Sequence, residues 1–125
     1  MKRSVALALL HVEFPDKNIV CLPDDDDPQE VIVELERAED DSYSVAIALI
    51  QESLPHRNPG LVEAYLVEEG QLVIYIDEDM EILEQGGGLT FDADHVHWAI
   101  ALSSEPARVR VTSRPAWKPE HNVLV

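Results

Sequence analysis

Two pairs of polar side chains and one carboxylate have the types and spacing that metal chemistry requires. His56 and Asn58 are two residues apart, as are His95 and His97, so each pair points to one face of a strand. Glu63 follows an Asn-Pro-Gly turn, where the chain can fold back and bring a carboxylate near the first pair. Two imidazoles and one carboxylate with open positions suit non-haem Fe(II), and such a set also holds Mn, Co, Ni or Zn. The sequence therefore contains the donors for a divalent transition-metal site.

The elements that must position these residues are predicted to be β-strands. Large apolar residues alternate with polar or smaller ones over 31–36, 43–49 and 108–111, and a period of two is typical of half-buried strands. Residues 71–76 are apolar on both faces, which predicts a strand covered on both sides. Clusters of Pro, Gly, Asn and Asp separate the runs. Many short strands at this spacing predict an all-β sandwich or barrel.

The N-terminal part is predicted to consist of strands as well. The apolar run 4–10 follows a short basic start and imitates a signal peptide, but no small-residue cleavage site follows it, so we interpret it as a strand. Residues 28–37 would also accept a helix, because Pro28 is a good first helical residue. Their alternation favours a strand instead.

The segment from Pro55 onward resembles the cupin family. The family's first motif is a His-x-His pair followed by a glutamate and then a glycine. His56, Glu63 and Gly70 match it in register, while Asn58 replaces the second histidine.

The family's second motif follows about 30 residues later. Gly86 and His97 match it, whereas Asp92, Asp94 and Ala101 replace its proline, glycine and asparagine. The sequence from Phe91 to His97 is also similar to that of small-molecule-sensing cupin domains that are fused to helix-turn-helix regulators. No such DNA-binding helix pair is readable in residues 1–50.

The resemblance implies a double-stranded β-helix barrel, the cupin jelly roll, formed by residues 1–125 as one domain. The motif core would span 55–101, with strands in 1–50 and a C-terminal strand and tail at 107–125. It also implies a metal site in the mouth of the barrel, where the ligands would be His56, Glu63 and His97.

Three further residues are candidates for an additional ligand or for the pocket wall. Asn58 is a neutral, weak oxygen donor, which would lower metal affinity or leave a coordination position to water or substrate. His95 lies just before the predicted strand of His97. It would be either an additional metal ligand or a residue that lines the mouth of the barrel or lies on the surface. Tyr65 shares the strand parity of Glu63 and would line the pocket. A vacant pocket that binds only a small molecule is the alternative to a metal site.

Charge excludes two classes of partner. With 25 acidic and 9 basic residues, the net charge is −16, which opposes binding to nucleic acid and to an anionic membrane. A salty cell interior and an ordinary acidic bacterial protein are both compatible with this charge. The aspartate run Asp24–Asp27 lacks the spacing of a calcium loop and is predicted to be a solvated loop. The single cysteine, Cys21, is predicted to be buried and fits a reducing, cytoplasmic compartment.

These inferences combine into one functional hypothesis and one alternative. The hypothesis is a cupin that binds a divalent metal and a small-molecule ligand or substrate, with oxygenase, isomerase or lyase chemistry if it is an enzyme. The alternative is a sensory or metabolite-binding module without metal and without turnover. In either case, the two-faced apolar strand over 71–77 predicts a homodimer.

Overall fold

The computed structural model describes residues 1–125, which form one α-helix and two antiparallel β-sheets. The helix is α1 (Arg3–Glu13). In chain order the strands are β1 (Ile19–Leu22), β2 (Glu30–Arg37), β3 (Ser44–Ile50), β4 (His56–Arg57), β5 (Val62–Glu69), β6 (Leu72–Ile76), β7 (Asp79–Leu83), β8 (Gly88–Asp92), β9 (His97–Ala101), β10 (Ala107–Arg114) and β11 (Val123–Leu124).

The strands form a six-stranded sheet in the order β1-β2-β3-β10-β5-β8 and a five-stranded sheet in the order β11-β4-β9-β6-β7. The neighbours in both sheets run antiparallel. This arrangement confirms the predicted all-β jelly roll. The region 28–37 is a strand, as its alternation indicated, and not a helix.

The prediction of a strand at residues 4–10 is wrong, because these residues belong to α1. Alanine and leucine are among the strongest helix formers, and this run contains little else. Ala6 and Leu10, four residues apart, lie on one face of the helix and are buried against the outer face of the six-stranded sheet. They pack there with Val31, Val33 and Ile47. The helix therefore covers the outer face of the six-stranded sheet, a role that the predicted strand would not have.

The aspartate run holds the beginning of this helix. Arg3 forms an ion pair with Asp24, and the N-terminal ammonium group donates to Asp27 over 2.7 Å. The run is otherwise exposed, as expected for a solvated loop. Nearby, Cys21 is buried and unpaired, as predicted, and burial raises the pKa of its thiol.

The main core lies between the two sheets. It contains 16 buried residues, among them Ile50, Leu61, Leu72, Ile74 and Val109. Strand β6 occupies an interior position in its sheet, between β9 and β7, and the first three of its residues are buried whichever face they point to. The molecule contains no helix with the length and apolar character needed to span a membrane.

Candidate functional site

The two histidines of the predicted ligand set are cross-strand partners. His56 on β4 pairs with His97 on β9, so both side chains point to the same face of the five-stranded sheet. The centroids of their rings are 4.3 Å apart. Both side chains are buried, His97 almost completely. The edge of the Phe91 ring lies against His97, with 5.0 Å between the centroids, and shields it from water.

Glu63 reaches the histidines from the opposite sheet. The chain leaves β4 through the turn at Asn58, Pro59 and Gly60, where Gly60 has a φ of +78°, a left-handed conformation that glycine adopts without strain. This turn begins β5, on which Glu63 points inward and is 5% exposed. Its Oε1 lies 3.6 Å from Nε2 of His97.

Backbone contacts orient both imidazole rings. A carbonyl oxygen accepts a hydrogen bond from Nδ1 in each ring, Leu54 O at 2.6 Å for His56 and His95 O at 2.8 Å for His97. In a neutral ring this leaves a lone pair on Nε2. Burial, and then the neighbouring His97, lower the pKa of His56, which favours the neutral form. His56 is therefore favoured as a neutral base, and Nε2 of a neutral ring held in this way can accept a hydrogen bond or bind a metal.

The orphaned polar atoms of the molecule concentrate here. Oε1 of Glu63 and Nε2 of His97 are buried without a hydrogen-bond partner. Both are acceptors when the ring is neutral, so they cannot satisfy each other across 3.6 Å, and leaving them unpaired is costly. Nevertheless, no group of three or more His, Cys, Asp or Glu side chains is arranged as a metal centre. The structure therefore brings together Oε1 of Glu63 and Nε2 of His97, with the ring of His56 beside them as a third group that could bind a metal.

The three additional candidates have different locations. Asn58 is buried, and its amide nitrogen donates to Oδ1 of Asn122 over 3.2 Å, which links it to the C-terminal segment. Tyr65 is buried beside Glu63, and burial raises the pKa of its hydroxyl well above the ordinary value. His95 is not brought into the site, because its side chain is exposed and contacts Asp77 at 2.6 Å.

A cavity of about 260 Å³ opens beside this group. His56, Asn58, Glu63 and Tyr65 form part of its wall, and the rest comes mainly from β1, β2, β3 and β10 and from the C-terminal segment 117–122. A second cavity of about 250 Å³ shares Glu30, His56 and Asn122 with the first. Each volume lies just below the range of about 300–1,000 Å³ that is usual for ligand pockets, so either cavity alone suits only a small ligand.

Sequence reasoning missed Glu30, the first residue of β2. It lies in the wall of both cavities. Burial, and then the nearby carboxylate of Glu63, raise its pKa to about 7. The alternation of Glu30, Ile32 and Glu34 with the valines of β2 shows that the two glutamates share a face. It does not show that this more polar face, and not the valine face, points into the barrel.

Comparison with known proteins supports the architecture. The family model described as "Cupin domain" matches residues 46–113. No curated protein matches the sequence significantly.

Three solved structures illustrate the likeness. The match to an HTH_3 family transcriptional regulator from Vibrio cholerae has 26% sequence identity and a TM-score of 0.58. It covers 71% of this chain and 52% of the regulator. The chain is 14% identical to KdgF from Halomonas sp., with a TM-score of 0.66 and coverage of 84% and 89%. It is 12% identical to Streptomyces Pac13 with uridine, with a TM-score of 0.71 and coverage of 89% and 85%. The chain thus spans about half the length of the Vibrio cholerae regulator, and the likeness to the other two shows the fold alone.

Proposed function

The chain belongs to the cupin domain family, and on that premise we propose that it binds a divalent transition metal and a small molecule in the barrel. His56, Glu63 and His97 would hold the ion, which is Fe, Mn, Ni, Co or Zn by the chemistry of this donor set. One observation carries the proposal: two buried polar atoms, Oε1 of Glu63 and Nε2 of His97, face each other at 3.6 Å without a hydrogen-bond partner. A bound cation would satisfy both.

The surrounding residues support the same role. The backbone carbonyls that accept from Nδ1 fix each ring and leave Nε2 available, which is the usual orientation of metal-binding histidines. Phe91 and Tyr65 exclude water from one side of the site, and their rings contact edge to face at 5.2 Å. When bound, the ion would supply Lewis acidity or an oxygen-activating centre. The neighbouring cavity of about 260 Å³ would receive the small molecule.

Metal analysis of the untagged protein tests this proposal. Inductively coupled plasma mass spectrometry is expected to find about one equivalent of a transition metal after reconstitution, and a large loss of it in Glu63→Gln and in His97→Gln. His95→Gln is the matched control, because His95 is only two residues away but exposed. Less than about a tenth of an equivalent in the wild type, with no gain on reconstitution, would contradict the proposal.

A sensory or metabolite-binding role without metal is the second candidate. Two observations favour it: Asn58 stands in the position of a ligand with its amide nitrogen bonded to Asn122, and no three-residue metal group is arranged in the barrel. The resemblance to a transcriptional regulator from Vibrio cholerae is in line with this role. In that case, His56→Ala would change the affinity for a ligand found by thermal-shift screening, and a chelator would not change it.

We also propose that two copies pair through the outer face of the five-stranded sheet. Met80 and Ile82 on β7 are 54% and 56% exposed. In register they lie opposite Tyr75 and Val73 of β6, so they continue an apolar face across two strands. An apolar surface of this kind marks an interaction site more often than a solvated face.

A further inference from the structure

The C-terminal segment of the chain belongs to the walls of both cavities. Pro119 and Asn122 lie in the two walls alike, and Leu124 lies in the wall of the second cavity. Each cavity by itself is smaller than a usual ligand pocket. Displacement of this segment would remove part of the wall that separates the two cavities, and would thereby enlarge the space open to a ligand.

The chain is held firmly up to Trp117. The backbone N–H of Trp117 donates to Oγ of Ser44 at 2.9 Å, and its carbonyl oxygen accepts from Arg37 at 2.7 Å. The preceding residue, Ala116, is buried, and its backbone N–H donates to the carbonyl oxygen of Asp41 at 3.0 Å. These contacts fix the point at which the segment leaves the six-stranded sheet.

Residues 118–125, which we call the C-terminal strap, are held by fewer contacts. They form one 3₁₀ turn (Pro119–His121) and the two-residue strand β11, which lies at the edge of the five-stranded sheet. Strand β11 pairs with β4, which is itself two residues long. Val123, Leu124 and Val125 are exposed, so the strap buries little apolar surface. Short strand pairing and little apolar burial are properties of segments that open locally at a low cost in free energy.

One side-chain hydrogen bond joins the strap to the candidate site. The amide nitrogen of Asn58 donates to Oδ1 of Asn122 over 3.2 Å. Asn58 is buried, lines the first cavity and is two residues from His56. Opening of the strap breaks this bond, and the buried amide of Asn58 then needs a new partner, because an unpaired buried donor is costly. Water or a ligand that enters the cavity would supply that partner.

We propose that the C-terminal strap is a movable cover of the site, and that Asn122 is the positioning residue that latches it to Asn58. With the latch closed, the strap separates the two cavities. With the latch open, a ligand reaches His56, which lies in the walls of both. The inference deepens the proposed function, on which it rests in so far as the barrel receives a small molecule, by naming what regulates access to it.

Chemical modification of histidines measures how often the strap opens. Diethyl pyrocarbonate acylates neutral imidazole rings, and it is applied to the full chain after a chelator has removed bound metal, so that no ion protects His56. The exposed His95 is the internal standard. Peptide mass spectrometry of the initial rates gives the ratio between the two residues. In the wild type, we expect His56 to react about tenfold or more slowly than His95.

Substitution of Asn122 tests the latch. Asn122→Leu removes the acceptor at nearly the same side-chain volume and is expected to raise the rate at His56 by about three- to tenfold, the range that the loss of one hydrogen bond allows. Asn122→Asp keeps an oxygen that accepts from Asn58, and a rate near that of the wild type is expected. Glu120→Leu is the matched control and is expected to leave the rate unchanged, because Glu120 is an exposed residue of the same strap outside both cavity walls.

A disulfide tests the cover in the opposite direction. Arg57 on β4 and Val123 on β11 are directly opposite each other in an antiparallel pair, at a separation that a disulfide can span. The variant Arg57→Cys/Val123→Cys is made together with Cys21→Ala, so that no other thiol is present. Oxidation is expected to slow the modification of His56 by about tenfold, and reduction is expected to restore it. Two forms of one protein are compared, so this arm does not depend on the stability of Asn122→Leu.

The outcomes separate the inference from the proposed function. A rate at His56 that changes neither in Asn122→Leu nor on oxidation of the cysteine pair would show that the strap does not control access. Equal increases in Asn122→Leu and Asn122→Asp would overturn the latch. Metal analysis of the wild type tests the metal site separately, because the modification rates are measured without metal. Rates that depend on the strap in a protein that binds no metal would therefore support the cover and contradict the metal site.

Discussion

The outer faces of both sheets carry apolar strand residues, but another part of the chain covers only one of the two faces. Strands β2 and β3 place Val31, Val33 and Ile47 on their outer face, and α1 covers them so completely that each is 0% exposed. Strands β6 and β7 place Val73 and Ile82 on the other outer face, where Val73 is 7% exposed but Ile82 at the edge strand remains 56% exposed. Apolar strand residues therefore do not by themselves indicate which face is a core.

The uncovered face extends from β7 to β9. Tyr75 on β6 lies opposite Trp98 on β9, and the two rings stack at 4.1 Å with an angle of 11° between their planes. Both side chains are only partly buried. The comparison teaches that one face is completed within the chain, while the other is available to a second molecule, as proposed above.

The largest expected effect is at the covered face. Leu10 is 1% exposed under α1, so Leu10→Ala removes a buried side chain and leaves a cavity. We expect a loss of about 3 kcal/mol in the free energy of unfolding, measured by urea denaturation. Leu9→Ala on the same helix is the matched control, because Leu9 is 63% exposed, and its effect is expected to stay below about 0.5 kcal/mol. Equal effects of the two changes would show that α1 does not cover the sheet in solution.

The next effect is at the uncovered face, and it concerns association rather than folding. If a second copy covers this face, Ile82→Lys buries a charge in the interface and weakens the dimer by about tenfold or more. Light scattering across micromolar concentrations is expected to show a dimer for the wild type and a shift toward monomer for the variant. Val12→Lys on α1, at a residue that is 85% exposed, is the control and is expected to leave the dimer intact. A monomeric wild type at these concentrations would refute the pairing.

The smallest expected effect is on the stability contributed by the ion pair that attaches the end of α1 to the sheet. Arg108 on β10 donates from both terminal nitrogens to Glu13, at 2.7 and 2.6 Å, and this pair lowers the pKa of Glu13. A lowered pKa in the folded state means that the contribution is present above the unfolded value near 4.5 and is lost as the pH falls through the lower folded value. Since Glu13 is exposed, the contribution is expected to be within about 1 kcal/mol.

Unfolding of the wild type and of Glu13→Gln at pH 7 and at pH 3 measures this contribution. The stability difference between the two proteins is expected to be present at pH 7 and to shrink at pH 3. A difference that is unchanged between the two pH values would show that the ion pair does not contribute.

Much of the fold could be predicted because strands show their period directly in the sequence. The regions 28–37 and 71–76 contain the strands β2 and β6. The prediction for residues 4–10 was wrong because the six residues after Ser4 are all apolar and therefore show no period that would distinguish a helix from a strand. Its identity as a helix depends on packing against a sheet that is distant in sequence.

Glu30 was missed for a related reason. Alternation over 31–36 predicts a half-buried strand but does not say which of its two faces points into the barrel. Once α1 covers Val31 and Val33, the alternate residues Glu30 and Ile32 must face the barrel. Packing of α1, which is distant in sequence, thus decides that Glu30 faces the cavity.

The sequence by itself determined the strands, the turns between them and the donors His56, Glu63 and His97, because residue type and a period of two are local properties. Only the tertiary structure decided that His97 and Glu63 meet at 3.6 Å from opposite sheets, and that the polar face of β2 lines the cavity. A strand has two faces, and alternation distinguishes them without saying which is inside. That choice is made by whatever packs against the strand, and here it was made by α1.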